Sequence, residues 1–377
     1  MASRQAVTEY LESVAYNRRR DPAAVTVRWI LVLLSLIYRG ILALYLLPFR
    51  LGLRHQAHLG CPTISVGNIT VGGTGKTPTV QYLCNGLVRA GWRPAVLSYG
   101  YRSTLSGRFG IVSNGQEILL MPETAGDEPV MLAKSLPGIP VLVGKDRASS
   151  GRIAIDNLRA NVLVLDDGFQ VWKLQRDVDI ALVRATDPFD NGFVLPAGRL
   201  REPPCALRRA NCIVAIGRAC DNDHRDDLVR LLTKVAGEKP IVFARYEPVS
   251  FYSLNDGSTI ALKSLYGAKV LAVSGIANPS SFEETLNQLG LYIVEGEHFP
   301  DHHIYSRDDI ERLSKKFAES GVDWIITTEK DAVKLESHEL TVPILVLKIE
   351  LRLENESTFW KLISEKIGDP PQISNIT

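Results

Sequence analysis

The sequence carries no excess of charge of either sign: 43 Lys and Arg stand against 42 Asp and Glu, a formal net charge of +1 over 377 residues. Without a basic field the chain has no electrostatic footprint for nucleic acid, so a nucleic-acid partner is not expected. Paired cysteines are lacking as well. Cys61, Cys84, Cys205, Cys212 and Cys220 are odd in number and show no C-x-x-C spacing, which excludes a zinc knuckle or a disulfide framework and suits a reducing compartment. Gly, at 29, and Pro, at 20, are too few for a fibrous or low-complexity chain, and no internal repeat is visible. What is there, 45% hydrophobic and 23% charged residues, is the composition of a globular protein with a sizeable core. At roughly 100–200 residues per domain the length suits two or three of them.

Residues 29–49 (WILVLLSLIYRGILALYLLPF) contain a single charge, Arg39. At about 1.5 Å rise per residue such a run is long enough to cross a hydrocarbon core of ~30 Å. Arg39 near its middle costs on the order of 2.5–3.5 kcal/mol on insertion, and Tyr38 and Gly40 weaken the run further. A helix lying in one leaflet fits at least as well as a full span, and a buried core helix is the remaining option. Eight arginines against Glu9, Glu12 and Asp21 leave five positive charges before residue 61, which anionic headgroups on a cytoplasmic leaflet attract. No small-residue cleavage site follows the run before Pro48-Phe49-Arg50, so a signal peptide is not expected. Because the first strand candidate begins only near Thr63, deleting residues 1–50 is expected to leave nucleotide binding intact.

From residue 62 the chain alternates short β-branched runs with helical stretches, the pattern of a parallel sheet covered by helices. The strand candidates are 63–66, 95–98, 141–143, 162–165, 180–183, 213–216 and 241–244. A second set follows: strands at 270–273, 292–294, 324–327 and 344–347, with helices through 282–289 and near 310–317. Extended stretches at 245–252 and 347–353 join the two sets.

The first strand runs into Gly67-Asn68-Ile69-Thr70-Val71-Gly72-Gly73-Thr74-Gly75-Lys76-Thr77-Pro78 and then a helix. A phosphate needs converging backbone N–H groups and a helix N-terminus aimed at its charge, hence the glycines. Lys76 reaches the β- and γ-phosphates in such a loop, and the Thr77 hydroxyl takes a Mg²⁺ position. The usual pattern has Gly six residues before the Lys; here that position is Thr70.

Asp166-Asp167-Gly168 ends another buried strand, at the sheet edge where doubly wound folds bind ligands, and a carboxylate there holds Mg²⁺ or caps a turn. Asp127, in Gly126-Asp127-Glu128-Pro129, reads equally as a functional carboxylate and as a helix N-cap. Arg147 after one strand, and Arg199 and Arg201 in the loop 195–203, either clamp phosphates or are solvated. Asp301-His302-His303 is more simply structural than catalytic, and metal binding by adjacent histidines is weaker still.

Together, Ser65 to Asn68 with Gly72 to Pro78, Gly126 to Pro129, Asp166-Asp167-Gly168-Phe169-Gln170, Leu195-Pro196-Ala197-Gly198, Asp301-His302 and Thr328-Glu329-Lys330-Asp331-Ala332-Val333-Lys334 resemble the tetraacyldisaccharide 4'-kinase family, over about residues 25 to 350. The resemblance implies a P-loop NTPase-like α/β fold: a mostly parallel sheet with helices on both faces, a second smaller α/β domain and an N-terminal membrane-associated helix. The expected division is 1–60 for the membrane segment, 61–244 for the P-loop kinase domain, 245–353 for the smaller domain with extended linkers, and 354–377 for a C-terminal helix and tail.

The activity implied is ATP-dependent phosphorylation of the 4'-hydroxyl of a tetraacyldisaccharide 1-phosphate in lipid A biosynthesis, at the cytoplasmic face of the inner membrane, with ATP and Mg²⁺ as cofactors. Its partners are the acylated lipid and the membrane surface. Family roles fall on Gly72, Gly73, Thr74, Gly75, Lys76 and Thr77 for nucleotide, on Thr77, Asp166 and Asp167 for Mg²⁺, and on Asp127 paired with His302 as catalytic base. Arg147, Arg201 and Glu202 match positions lining the phosphate site. Two positions depart from the family pattern: Val171 where His is usual, and Tyr99 where Arg is common. The alternative function is a membrane-attached P-loop NTPase that uses hydrolysis as a switch in metal or protein delivery.

Overall fold

Runs of Val, Ile and Leu too short for helices become strands buried on both faces, as parallel sheets require. In chain order the strands are β1 (Thr63–Asn68), β2 (Pro94–Ser98), β3 (Phe109–Ser113), β4 (Val141–Gly144), β5 (Val162–Asp166), β6 (Val178–Arg184) and β7 (Cys212–Ile216). They continue as β8 (Ile241–Ser253), β9 (Thr259–Ile260), β10 (Lys269–Ser274), β11 (Tyr292–His298), β12 (Trp324–Thr328) and β13 (Ile344–Leu353). The computed structural model describes residues 10, 13–16, 19, 21–100, 103–105, 109–217, 222–276, 278–300, 303–336 and 342–371. Two units assemble from separated segments: the first from Met1–Lys76, Val164–Arg245 and Leu353–Thr377, the second from Thr77–Leu163 and Tyr246–Arg352.

In the first unit β1, β6, β7 and the start of β8 pair in parallel, with Val66 opposite Ile180 and Ala215 opposite Phe243. The Gly168 N–H donates to Val66 O at 3.0 Å, tying the turn after β5 to β1. One core face gathers Ile69, Phe169, Val183, Leu200, Ile213, Leu232 and Phe243, with the helix Asn222–Ala236 laid across it.

The N-terminal helix Pro22–Arg50 belongs to this unit. Asp21 caps it by accepting from the Ala24 N–H at 3.0 Å, and Pro22 fits the first turn. Its buried residues, Ala24, Leu31, Ser35 and Leu46, recur near multiples of 3.6 and form one stripe along the helix. The opposite side exposes Trp29, Leu33, Leu36, Ile37, Ile41 and Leu44. The helix is long and apolar enough to cross a membrane.

In the second unit β2 and β4 are parallel and β3 runs antiparallel on β4. β11, β10, β12 and β13 form a parallel group. Alternate residues of those strands feed two cores, since successive side chains point to opposite faces. Leu271, Val273, Ile325 and Ile344 pack with Ile310 and Leu313 of the helix Arg307–Ser320. Val270, Ala272, Ile326 and Leu345 pack with Phe282 and Leu286 of the helix Pro279–Gln288. Helices therefore cover both faces, as the alternating pattern predicts.

Two features were not legible in the pattern. β3 is half exposed and contains Gly110, so it lacks the apolar run that marks a buried strand. The helix Glu329–Leu335 is only about two turns long, too short for a period to emerge. The extended stretches expected at 245–252 and 347–353 are continuations of β8 and β13.

Candidate active site

The first unit builds a cationic cluster at the carboxyl end of its sheet. β1 ends at Asn68, whose Nδ2 donates to Thr74 Oγ1 at 2.5 Å across the turn. Gly72 and Gly75 sit at φ of 106° and 78°, a conformation that a Cβ penalises, so the curl of the loop requires glycine there. The loop is braced from outside: the Val71 N–H donates to Arg199 O and the Arg201 N–H to Ile69 O, each at 2.7 Å.

That brace delivers Arg201 to the cluster. Arg201 Nη1 donates to Asp167 Oδ2 at 2.8 Å, and Lys76 Nζ lies 3.4 Å from Asp167 Oδ1 at the start of the helix Lys76–Arg89. Asp167 itself has φ of 53°, an uncommon conformation for a residue with a side chain, held by the turn that follows β5. Burial pushes its carboxyl pKa up, but the charges of Lys76 and Arg201 and the Arg201 hydrogen bond outweigh it, so the pKa lies below the usual carboxylate value. The stabilisation from ionised Asp167 is therefore complete above the ordinary pKa of about 3.9 and is lost as pH falls through the lowered native value. Thermal melts from pH 7 to pH 3 should show the wild type losing more stability than Asp167→Asn; parallel curves would sink the assignment.

Glu202 turns the other way. It is 1% exposed, and Arg209 donates to both its oxygens at 2.6 and 2.8 Å while Gln170 Nε2 donates at 3.0 Å. Arg209 also lies 3.6 Å over the Phe169 ring and donates to Phe169 O at 2.8 Å. The structure thus gives Glu202, expected to line the phosphate site, an inward anchoring position. Arg209→Met should destabilise the protein by about 3–5 kcal/mol by stranding a buried carboxylate, and adding Glu202→Gln should recover part of it. Urea unfolding of the two variants checks this.

The second unit carries Thr77, Asp127 and Arg147. Thr77 is buried in the first turn of the helix Lys76–Arg89. The helix Asp127–Ser135 has Gly126 as its N-cap, with no side-chain capping bond. Asp127 is therefore not the cap that the sequence allowed. Lys334 Nζ, itself buried, lies 3.5 Å from Asp127 Oδ2, and Lys330 Nζ is 3.9 Å from Glu128. Both lysines come from the helix Glu329–Leu335, which Thr328 caps. Asp331 anchors that helix by accepting from the Gly275 N–H at 3.0 Å and the Thr328 hydroxyl at 2.7 Å. Arg147 is buried, donates to Gly144 O at 2.5 Å and lies 5.6 Å over the Tyr99 ring, so Tyr99 supplies a π-face where Arg is common. His302 and Asp301 lie outside the described residues. His303 bonds Asp309 at 3.0 Å and stacks on Phe299 at 4.6 Å, a structural role.

The model of the family described as tetraacyldisaccharide-1-P 4'-kinase matches residues 27–368 of the chain. The chain belongs to this kinase family. Tetraacyldisaccharide 4'-kinase of Syntrophus aciditrophicus is 40% identical, over 94% of this chain and 96% of that protein. The protein of that name from Pelobacter propionicus is 37% identical, over 91% and 93%. Among solved structures, "apo" form LpxK from Aquifex aeolicus in complex with ATP superposes with a TM-score of 0.74 at 32% identity, covering 90% of this chain and 99% of that one. The fold is accordingly that of the kinase family.

Within this frame several partners of the expected site residues were missed from sequence: Lys334, Gln170, Arg209 and Asn68. Lys334, Gln170 and Asn68 lie within the motifs and Arg209 outside them, but the roles of all four depend on which side chains meet across the fold. Burial pushes the Cys61 thiol up to about 11 and the Cys212 thiol up to about 12, away from thiolate. Among the described residues no group of three or more His, Cys, Asp or Glu could hold a metal ion.

Proposed function

We propose that the chain transfers the γ-phosphoryl group of ATP to the 4'-hydroxyl of an acylated disaccharide 1-phosphate, with Lys76 and Arg201 holding the phosphates and Asp127 accepting the hydroxyl proton. As a member of its family the chain is an ATP-dependent kinase of lipid A biosynthesis, and the hydrolysis-switch alternative is not favoured. The observation that carries the residue assignment is the convergence of Lys76 and Arg201 on Asp167 beside a glycine-curled loop and a helix N-terminus. Two cations and a helix dipole match the charge of a polyphosphate.

Phosphoryl transfer asks the protein to position groups and neutralise charge, with a base to take the hydroxyl proton. Lys76 and Arg201 provide the neutralisation, and Asp127, oriented by Lys334, provides the base. His302 is its expected partner. For Mg²⁺ the donor chemistry fits: Asp167 Oδ1 is a buried carboxylate oxygen whose near cation, Lys76 Nζ, stands off at 3.4 Å, the kind of oxygen a hard cation takes. Thr77, Asp166 and Asp167 are the residues that would hold it. When bound, Mg²⁺ neutralises charge shared between phosphate oxygens.

The helix Pro22–Arg50 is best read as lying in one leaflet. Its buried stripe contacts the protein from Ala24 to Leu46, which leaves only the opposite apolar side for lipid. The cytoplasmic face of the inner membrane supplies ATP and the anionic headgroups that suit the N-terminal arginines. Depth-labelled lipids should quench Trp29 fluorescence at one shallow depth; quenching strongest at the bilayer centre would favour a span.

The direct test of the activity is ATP consumption and product mass with and without an acylated disaccharide 1-phosphate. ADP stoichiometric with a product heavier by one phosphoryl group, the 1,4'-bisphosphate, supports the reading. ADP formation indifferent to the lipid would return the switch.

A further inference from the structure

Two polar residues inside the N-terminal helix, Ser35 and Tyr38, face the loop that carries Arg201. Ser35, 2% exposed in the middle of an apolar run, donates from Oγ to Val194 O at 2.8 Å and accepts from the Ala197 N–H at 2.9 Å. One turn further on, Tyr38 OH donates to Arg201 O at 2.9 Å. Ser35 is buried and Tyr38 half-buried, and hydroxyls placed there need partners, because burying an unpaired hydroxyl costs free energy.

The same loop is bonded to the phosphate loop on its other side. Arg199 O accepts from Val71, the Arg201 N–H donates to Ile69 O, and the Arg201 side chain pairs with Asp167. The backbone of Arg201 is thus held between the helix and the phosphate loop, by its carbonyl on one side and its N–H on the other. Burial, and then the Glu202 charge, push the Tyr38 phenol above its usual pKa despite Arg201, so it remains a donor through the neutral range.

We infer that Tyr38 and Ser35 are positioning residues: through them the membrane-binding helix holds Arg201 in place against Asp167, so that seating of the helix and assembly of the phosphate site are one event. A kinase whose acceptor resides in the bilayer gains from this, because the cation that organises its phosphates is set by the element that meets the lipid. The inference rests on the phosphate-site reading above.

The test is a double-mutant cycle on the full-length protein in mixed micelles containing acylated disaccharide 1-phosphate. Tyr38→Phe keeps the ring that packs against the core and removes only the hydroxyl. It should lower kcat/KM for ATP by about 2- to 10-fold, the effect of one hydrogen bond. KM for the lipid and sedimentation with vesicles should stay unchanged. Ser35→Ala should act in the same direction. In an Arg201→Ala background the Tyr38→Phe effect should vanish, since the group it positions is gone. The same fold-loss in both backgrounds, an unchanged kcat/KM, or a loss confined to lipid KM and sedimentation would overturn the coupling. If the wild type fails to turn over the lipid, the proposed function fails instead. The cycle is then read on ATP affinity, where Tyr38→Phe should weaken binding only while Arg201 is present, and equal weakening in both backgrounds would again overturn it.

Discussion

Lys76→Ala should lower kcat/KM by about 10²–10³-fold, the cost of removing one preorganised charge from a developing anion. The fold should survive it. Lys76 lies at a loop-to-helix junction, and Arg201 still pairs with Asp167 at 2.8 Å when the ammonium is gone. Thermal melts beside kinase assays separate the two effects: a melting point within a few degrees of wild type with activity near background is expected. Turnover close to wild type would remove Lys76 from the phosphate site.

The second large effect is expected at Asp127. Asp127→Asn keeps the shape and the first-turn position but cannot accept a proton, so kcat should fall by about 10²–10⁴-fold while ATP affinity persists. Lys334 lies 3.5 Å from the Asp127 carboxylate, and its loss should act through that carboxylate. Lys334→Met should therefore lower kcat less than Asp127→Asn does, and add little to it in the double variant. His302→Ala is expected to behave in the same way if it completes the pair. A normal kcat in Asp127→Asn, or strictly multiplicative losses in the double variants, would mean that the proton leaves by another route.

The packing of the N-terminal helix changes the outcome expected for its removal. From the position of the first strand, residues 1–50 look dispensable for nucleotide binding. Ser35, Tyr38 and Leu31, however, satisfy or cover parts of the loop 194–201. Truncation should thus release the protein from membranes and also weaken ATP binding, through a loop left without its brace. Isothermal titration of the truncated chain with ATP decides between the two.

Much of this protein was legible in the linear pattern. The strands β5 and β7 are nearly continuous apolar runs because both their faces are covered, and such runs need no context to be recognised. The glycines, Lys76 and Thr77 are likewise local: a loop that curls backbone N–H groups toward one point demands them in one order. Asp166 and Asp167 follow from their place at a strand's carboxyl end. What only the tertiary structure decided are meetings between distant segments. Whether Asp127 caps its helix depended on the φ of Gly126, and the lysine beside it comes from about 200 residues downstream. Glu202 and Arg201 are neighbours in sequence, yet one points into Arg209 and the other to Asp167. Tyr38 reads as a weakness in a hydrophobic run, and Ser35 carries no signal of its own, until Val194, Ala197 and Arg201 are seen to take their bonds. The division has a physical cause. Hydrophobic period and backbone curvature are set by residues a few positions apart, whereas the partner of a buried polar group is chosen by the whole fold.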